Sequence, residues 1–260
     1  MIRLRGLLTF CASVVVSLNA ALAAEPGTSA PIPLPQADRA VLERLLGPGV
    51  VGEALPGKPL LASSEFMPVA DVTWVFRFTG GKQSGTTEEA VLTRMSRDKT
   101  GKSGRFAVGD DSVYYFRQSG DGDLYIISEH DQQEGMITRF TPSEPVILSG
   151  MAPGTTKRKQ STVKLFDLSD PKDLAHQGTV NLSYSYIGTY RVTVPAGTFD
   201  AVLIKWRYQG EVGPATVEDT QYRFFAEGMG PVAMVDKSNI SAYLLYQDNS
   251  KQGRVLVRKE

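Results

Sequence analysis

Cysteine occurs once in these 260 residues, at Cys11, and histidine twice, at His130 and His176. Cys11 lies in a stretch that starts with Arg3 and Arg5, continues as an apolar run and closes on Ala21-Leu22-Ala23. That is the pattern of a cleavable signal peptide, expected to span 1–23, with Ala24 an equally good last residue. Leu8-Thr9-Phe10 lack the small residues of a lipidation site before Cys11. Loss of the signal would remove the one cysteine, leaving no disulfide, thiolate nucleophile or cysteine metal ligand. Long apolar runs are missing too. Ser13, Ser17 and Asn19 interrupt the first, and no later stretch approaches a spanning helix, so no integral membrane segment is expected.

No charge of one sign dominates. The 28 Lys and Arg balance 28 Asp and Glu, and without Arg3 and Arg5 the balance becomes 26 against 28, or −2. Such a chain has no electrostatic footprint for nucleic acid or an anionic membrane. Lys157-Arg158-Lys159 is too short to change that and reads as a solvated loop.

Catalytic signatures are equally scarce. No serine sits in a Gly-x-Ser-x-Gly elbow. Gly101-Lys102-Ser103 lacks the earlier glycine of a phosphate loop, since Ser96 stands there. Asp121 and Asp123 belong to a turn without the rest of a calcium loop. His130, within Glu129-His130-Asp131-Gln132-Gln133-Glu134, reads as part of a solvated loop, and His176 as part of a polar connection. Neither has companions for a zinc site, which needs three or four protein ligands. Glu218 and Asp219 are adjacent, so in a strand they point to opposite faces. No catalytic residue, metal or cofactor is assigned, and nothing marks the chain as an enzyme.

What the chain does have is alternation. After a linker of small residues and prolines at 24–35, expected to be flexible, one helix is predicted over 36–46. There Val41, Leu42, Leu45 and Leu46 share a face, Asp38, Arg39, Glu43 and Arg44 point away, and Gly47-Pro48 ends the pattern. Strands dominate from residue 72 onward, separated by turn signals, so 36–260 is expected to form a single β-rich domain. The fold class is mainly β: a curved antiparallel sheet or half-open barrel with a short N-terminal helix.

The best-defined hairpin spans 190–208, with Pro195-Ala196-Gly197 as a three-residue turn. Val194 then faces Thr198, Tyr190 faces Val202, Tyr186 faces Trp206 and Tyr184 faces Tyr208. Tyr184, Tyr186, Tyr190, Trp206 and Tyr208 thereby share one aromatic face, with Tyr222 and Phe224 two apart on a later strand.

Three pieces carry a family likeness: Pro68-Val69-Ala70-Asp71-Val72-Thr73-Trp74-Val75-Phe76, Val194-Pro195-Ala196-Gly197-Thr198-Phe199, and Phe225-Ala226-Glu227-Gly228-Met229-Gly230-Pro231-Val232. In this order the chain resembles a group of exported bacterial proteins and lipoproteins of unknown function. Their fold is similar to the curved, partly open barrel of periplasmic lipoprotein carriers such as LolA and LolB. Asp71 departs from the glycine many members have there, and the lipidation cysteine is missing. The resemblance implies a periplasmic or secreted location and transfers no catalytic residue. Together with the aromatic face it gives two expectations. The first is a binding or carrier module whose ligand, a lipid or other apolar or amphipathic molecule, meets Tyr184, Tyr186, Tyr190, Trp206 and Tyr208. The alternative is a structural or interaction component that recruits a cell-envelope protein and holds no small molecule.

Overall fold

A computed structural model describes residues 27–95, 98–242 and 246–260. The expected signal peptide lies outside the described residues. The elements in chain order are α1 (Gln36–Leu46), β1 (Val51–Leu55), α2 (Ser63–Phe66), β2 (Val72–Gly80), β3 (Thr87–Arg94), β4 (Ser103–Val108), β5 (Ser112–Gln118), β6 (Leu124–Asp131), β7 (Met136–Thr141), β8 (Glu144–Ile147), β9 (Thr155–Asp167), β10 (Leu174–Val194), β11 (Gly197–Val212), β12 (Ala215–Ala226), β13 (Gly230–Ala242), β14 (Tyr246–Asp248) and β15 (Lys251–Lys259).

Twelve of these strands form an antiparallel ring. It runs from β2 through β7, then β9 through β13, then β15, which pairs back onto β2. Nearly every neighbour in the ring is also the next strand in the chain, so this is an up-and-down barrel. The expected antiparallel β class holds, but the barrel is closed instead of half-open. Two seams close it. One is β15 on β2, between residues far apart in sequence; the other is the long β10, which bonds β11 on one edge and β9 and β1 on the other.

The wall is polar outside. Asn181, Arg207, Gln209 and Glu211 are exposed, and among the described residues only Leu61 and Leu174 are large apolar side chains left in the open. This is the reverse of a lipid-facing barrel, which carries an apolar outer band. No helix among the described residues is long and apolar enough to cross a membrane.

The helix forms over 36–46 as expected and buries Leu42, Leu45 and Leu46 against β2, β13 and β15. Its C-terminus rests on the β2–β15 seam, where Gly80 pairs with Gly253. A Cβ on either would lie 2.7 or 2.1 Å from the Leu45 carbonyl oxygen, so only glycine admits the helix this closely. Asp38, expected to face solvent, is instead buried. It accepts hydrogen bonds from Lys205 Nζ (2.6 Å) and the Tyr222 hydroxyl (2.8 Å), because the first turn of α1 crosses β11 and β12. Residues 27–35, part of the expected linker, lie along the barrel. Ser29 bridges to Gly57, the Ile32 carbonyl accepts from the Tyr190 hydroxyl at 3.0 Å, and Leu34 is buried.

The central hairpin forms with a different register. Val194 pairs with Gly197, leaving a two-residue turn, so Tyr190 faces Ala201 and not Val202. Between Gly188 and Tyr186 the register shifts again around Ile187, and Tyr184 faces Trp206 while Leu182 faces Tyr208. This bulge has a structural consequence, because one inserted residue turns the following side chains to the other face. On the turn side of it, Tyr190, Ala201, Leu203, Phe224 and Tyr222 share the outer face beneath α1 and the N-terminal segment. Beyond it, Leu182, Tyr184, Trp206 and Tyr208 point into the barrel. The single aromatic face expected from sequence is thus two faces. Lys157-Arg158-Lys159 lies in β9 and not in a loop, paired with β10, because that edge is needed to close the ring.

Candidate functional site

Eight-stranded barrels are filled by their own side chains, whereas twelve strands enclose more width than one layer of inward residues can occupy. The interior here is accordingly hollow, with a cavity of about 1080 Å³. Ligand pockets are typically roughly 300–1,000 Å³, so this one has room for a molecule of lipid size. Its mouth lies among the turns at 81–83, 111–112, 131–133 and 249–252. The opposite end is sealed by the segment around α2, where Met67 reaches the cavity floor and Phe66 packs on Phe225 at 6.4 Å.

Strand alternation sorts the lining into levels. Reading β12 inward from the mouth, the lumen-facing residues are Ala215, Val217, Asp219, Gln221, Arg223 and Phe225. On β5 they are Ser112, Tyr114 and Phe116, and on β6 Asp131, Glu129 and Ile126. The deep end is therefore apolar and aromatic, with Phe106, Phe116, Phe225, Ile126 and Trp206. Phe106 and Phe116 stack with ring centres 5.7 Å apart. A polar belt follows above it, built from Glu88, Glu129, Glu144, Asp219, Gln221, Arg223, Asp236 and Arg254.

Within the belt the cations are already engaged. Arg223 Nη2 donates to Asp236 at 2.5 Å and to Gln221 Oε1 at 3.1 Å, while its Nη1 reaches the Val235 carbonyl. Arg254 Nη1 donates to Glu88 at 2.6 Å, and Nη2 lies 3.6 Å from Asp236. Its Nε is the one buried side-chain nitrogen lacking an acceptor among the described residues. The remaining carboxylates have only neutral partners: Tyr114 donates to Glu129, the Gln221 amide to Asp219 at 2.7 Å, and the Tyr208 hydroxyl to Glu144. Burial raises all three, outweighing the opposing pull of Arg223 on Asp219 and of Lys159 on Glu144. Glu129 is pushed up to about 7, Asp219 to about 6 and Glu144 to about 8. Their mutual repulsion adds to the effect, and the Tyr114 and Tyr208 hydroxyls rise well above the usual tyrosine value for the same reasons. Perturbed carboxyls converging on a cavity make this a candidate functional site.

The five aromatic residues expected to share a ligand face are divided by the bulge. Trp206 and Tyr208 line the lumen. Trp206 Nε1 donates to the Pro145 carbonyl at 2.7 Å, and its ring meets Tyr184 edge-on at 5.4 Å. Tyr184 forms the floor of a second groove of about 560 Å³ between β6 and β9, edged by Arg117, Lys157 and Arg158. Tyr186 and Tyr190 are fully buried, with hydroxyls donating to the carbonyls of Lys58 and Ile32. They belong to packed core. Tyr222 and Phe224 also lie on the outer face, Phe224 edge-on to Tyr190 at 6.4 Å.

Sequence reasoning missed the belt. Glu129 was placed in a solvated loop with His130, but β6 continues through Asp131 and turns Glu129 inward. His130 packs instead against Tyr115, 4.7 Å between ring centres, and burial lowers its pKa. Asp219 and Glu218 do point to opposite faces, the first into the lumen and the second to solvent. The available signal was the polar triplet Asp219, Gln221, Arg223 at period two, flanked by Val217 and Phe225 on the same face.

No protein-family model and no curated protein matches this sequence. Two solved structures are similar in part. One, from Bacteroides fragilis NCTC 9343, is described as exported with a YmcC-like fold. It is 12% identical, with a TM-score of 0.41 over 75% of this chain and 98% of that one. The other, from Parabacteroides distasonis ATCC 8503, is described as a lipoprotein. It is 13% identical, with a TM-score of 0.34 over 78% of this chain and 99% of that one.

Proposed function

We propose that this protein is an exported barrel, periplasmic or secreted, that binds an apolar or amphipathic molecule in its lumen. The observation that carries this reading is the cavity of about 1080 Å³, aromatic at its sealed end and polar toward its mouth. Burying an alkyl or ring system against Phe106, Phe116, Phe225 and Trp206 contributes roughly 25 cal/mol for each Å² removed from water. The belt above supplies polar partners for a head group. Of the five residues assigned to the ligand from sequence, Trp206 and Tyr208 are the ones that meet it under this reading.

The test is titration with N-phenyl-1-naphthylamine, a dye that brightens in apolar surroundings. Saturable, one-to-one brightening is expected from the wild-type protein. A Val217→Trp variant, which narrows the lumen above the belt, should weaken it at least tenfold while remaining folded by circular dichroism. Absence of saturable uptake would overturn the reading and favour a structural or protein-interaction role in the cell envelope.

A further inference from the structure

We propose that the lumen selects an amphiphile with a cationic, amine-type head, seated at Glu129 and Asp219 with its apolar part in the aromatic deep end. This rests on the lumen-binding reading and deepens it. The site is the cavity itself; its belt decides which head group fits. Three classes of head group can be weighed against that belt. An anionic head would meet five carboxylates, and both guanidiniums are already neutralised, Arg223 by Asp236 and Arg254 by Glu88 and Asp236. The free Arg254 Nε offers such a head one hydrogen bond but no unpaired charge. A neutral hydroxyl head would gain single hydrogen bonds and leave the carboxyls as they are. An ammonium brings three donors and the opposite charge to Glu129, whose charged neighbours are all acids, and to Asp219, whose nearby cation Arg223 is hydrogen-bonded to Asp236 instead.

The depth of the belt agrees with this. Asp219 stands on β12 three lumen-facing positions above Phe225, with Gln221 and Arg223 between, and Glu129 stands above Ile126 on β6. A head at that level leaves its chain directed toward Phe116, Phe225 and Met67. Because burial holds Glu129 near 7 and Asp219 near 6, an ammonium that favours their ionised forms must displace protons when it binds near neutral pH. The other charged groups within reach of Glu129 are acids, Asp131, Asp219 and Asp236, and they reinforce attraction for a cation.

Three probes with the same twelve-carbon chain separate the possibilities: dodecylamine, dodecanol and dodecanoate. Each displaces the dye at pH 7.5 below its micelle concentration. The amine is expected to compete at least tenfold better than the alcohol, and the acid to compete least. In a Glu129→Gln/Asp219→Asn double variant, with each displacement referred to that variant's own dye affinity, the amine and alcohol should come within about twofold. Calorimetry of wild-type protein at pH 6.5, in two buffers of different ionisation enthalpy, should show net proton release with the amine alone, a readout independent of any variant folding. A preference for dodecanoate, an amine preference that survives in the double variant, or amine binding without proton release would overturn the proposal. If all three probes bind alike, the lumen still binds apolar chains and only the head-group assignment falls. If none displaces the dye and the dye itself does not bind, the lumen reading falls with it.

Discussion

Beneath α1 and the N-terminal segment, the sheet between β10 and β13 is covered on both faces, in opposite ways. On its outer face Tyr190, Ala201, Leu203 and Phe224 pack beneath α1 and the N-terminal segment, each fully excluded from solvent. On its inner face Trp206, Tyr208, Asp219 and Arg223 border open space. Outside, the acid that the helix buries, Asp38, is matched by Lys205 and a tyrosine hydroxyl. Inside, carboxylates outnumber the guanidiniums, and two of them face the lumen with neutral partners only. Close packing with matched charge is what stability requires. A hollow with unmatched charge costs stability and is retained where something must fit into it. On this comparison the outer face holds the barrel together, and the inner face is free to carry specificity.

The sharpest test of the contrast is the same kind of change made on each side. Truncating Phe224 to alanine removes a ring from the packed outer core and should cost about 3–5 kcal/mol in urea unfolding. A loss under about 1 kcal/mol would mean that the outer face is not the solid side. The next effect comes from pH, and its sign follows from the raised carboxyls. Glu129 titrates near 7 when folded against an ordinary value of 4.5, and Asp219 near 6 against 3.8. The folded state therefore holds protons that the unfolded chain has released. This stabilisation is complete below the unfolded values and is lost as pH rises through about 6 to 7. Ligand-free protein should lose up to about 4 kcal/mol of stability between pH 5 and pH 8 from these groups. The Glu129→Gln/Asp219→Asn variant should show a flatter profile, measured by urea midpoints across that range. An identical slope in both proteins would show that the belt is well hydrated. The smallest effect is expected from Val217→Trp, an enlargement into empty space. It should shift stability by less than about 1 kcal/mol, against the 1–3 kcal/mol usual for overpacking a filled core. A cost above that range would mean that the lumen is closed at this level.

Local features were legible in the sequence. The helix at 36–46 shows its buried face through Leu42, Leu45 and Leu46, and β7 has the bounds that alternation predicts. The three quoted pieces make scaffold contacts. Trp74 Nε1 donates to the Met229 carbonyl at 2.6 Å, and Gly230 lies against its indole, so two of the quoted pieces meet. The third, at the Pro195-Ala196 turn, reaches β15 through Ala196 N–H to the Leu256 carbonyl. None of the three pieces supplies a residue of the polar belt, and the one that starts at Phe225 contributes that ring to the deep end of the lumen. The candidate site was less legible, because aromatic residues on one parity of β10 serve two faces and only the bulge at Ile187 separates them.

By itself the sequence determined the antiparallel β class, the helix that covers one side, and the positions of most turns. These follow from period and turn chemistry, which act over a few residues. Closure, hollowness and the charge of the lumen were decided by tertiary structure alone. Closure depends on Gly80 meeting Gly253 across most of the chain, and hollowness on how many strands complete the ring. The lumen's charge depends on Glu129, Glu144 and Asp219 arriving from three different strands. Each reads as an ordinary polar residue in its own segment. Only when the ring closes do they line one cavity together, and there they become the most distinctive chemistry in the molecule.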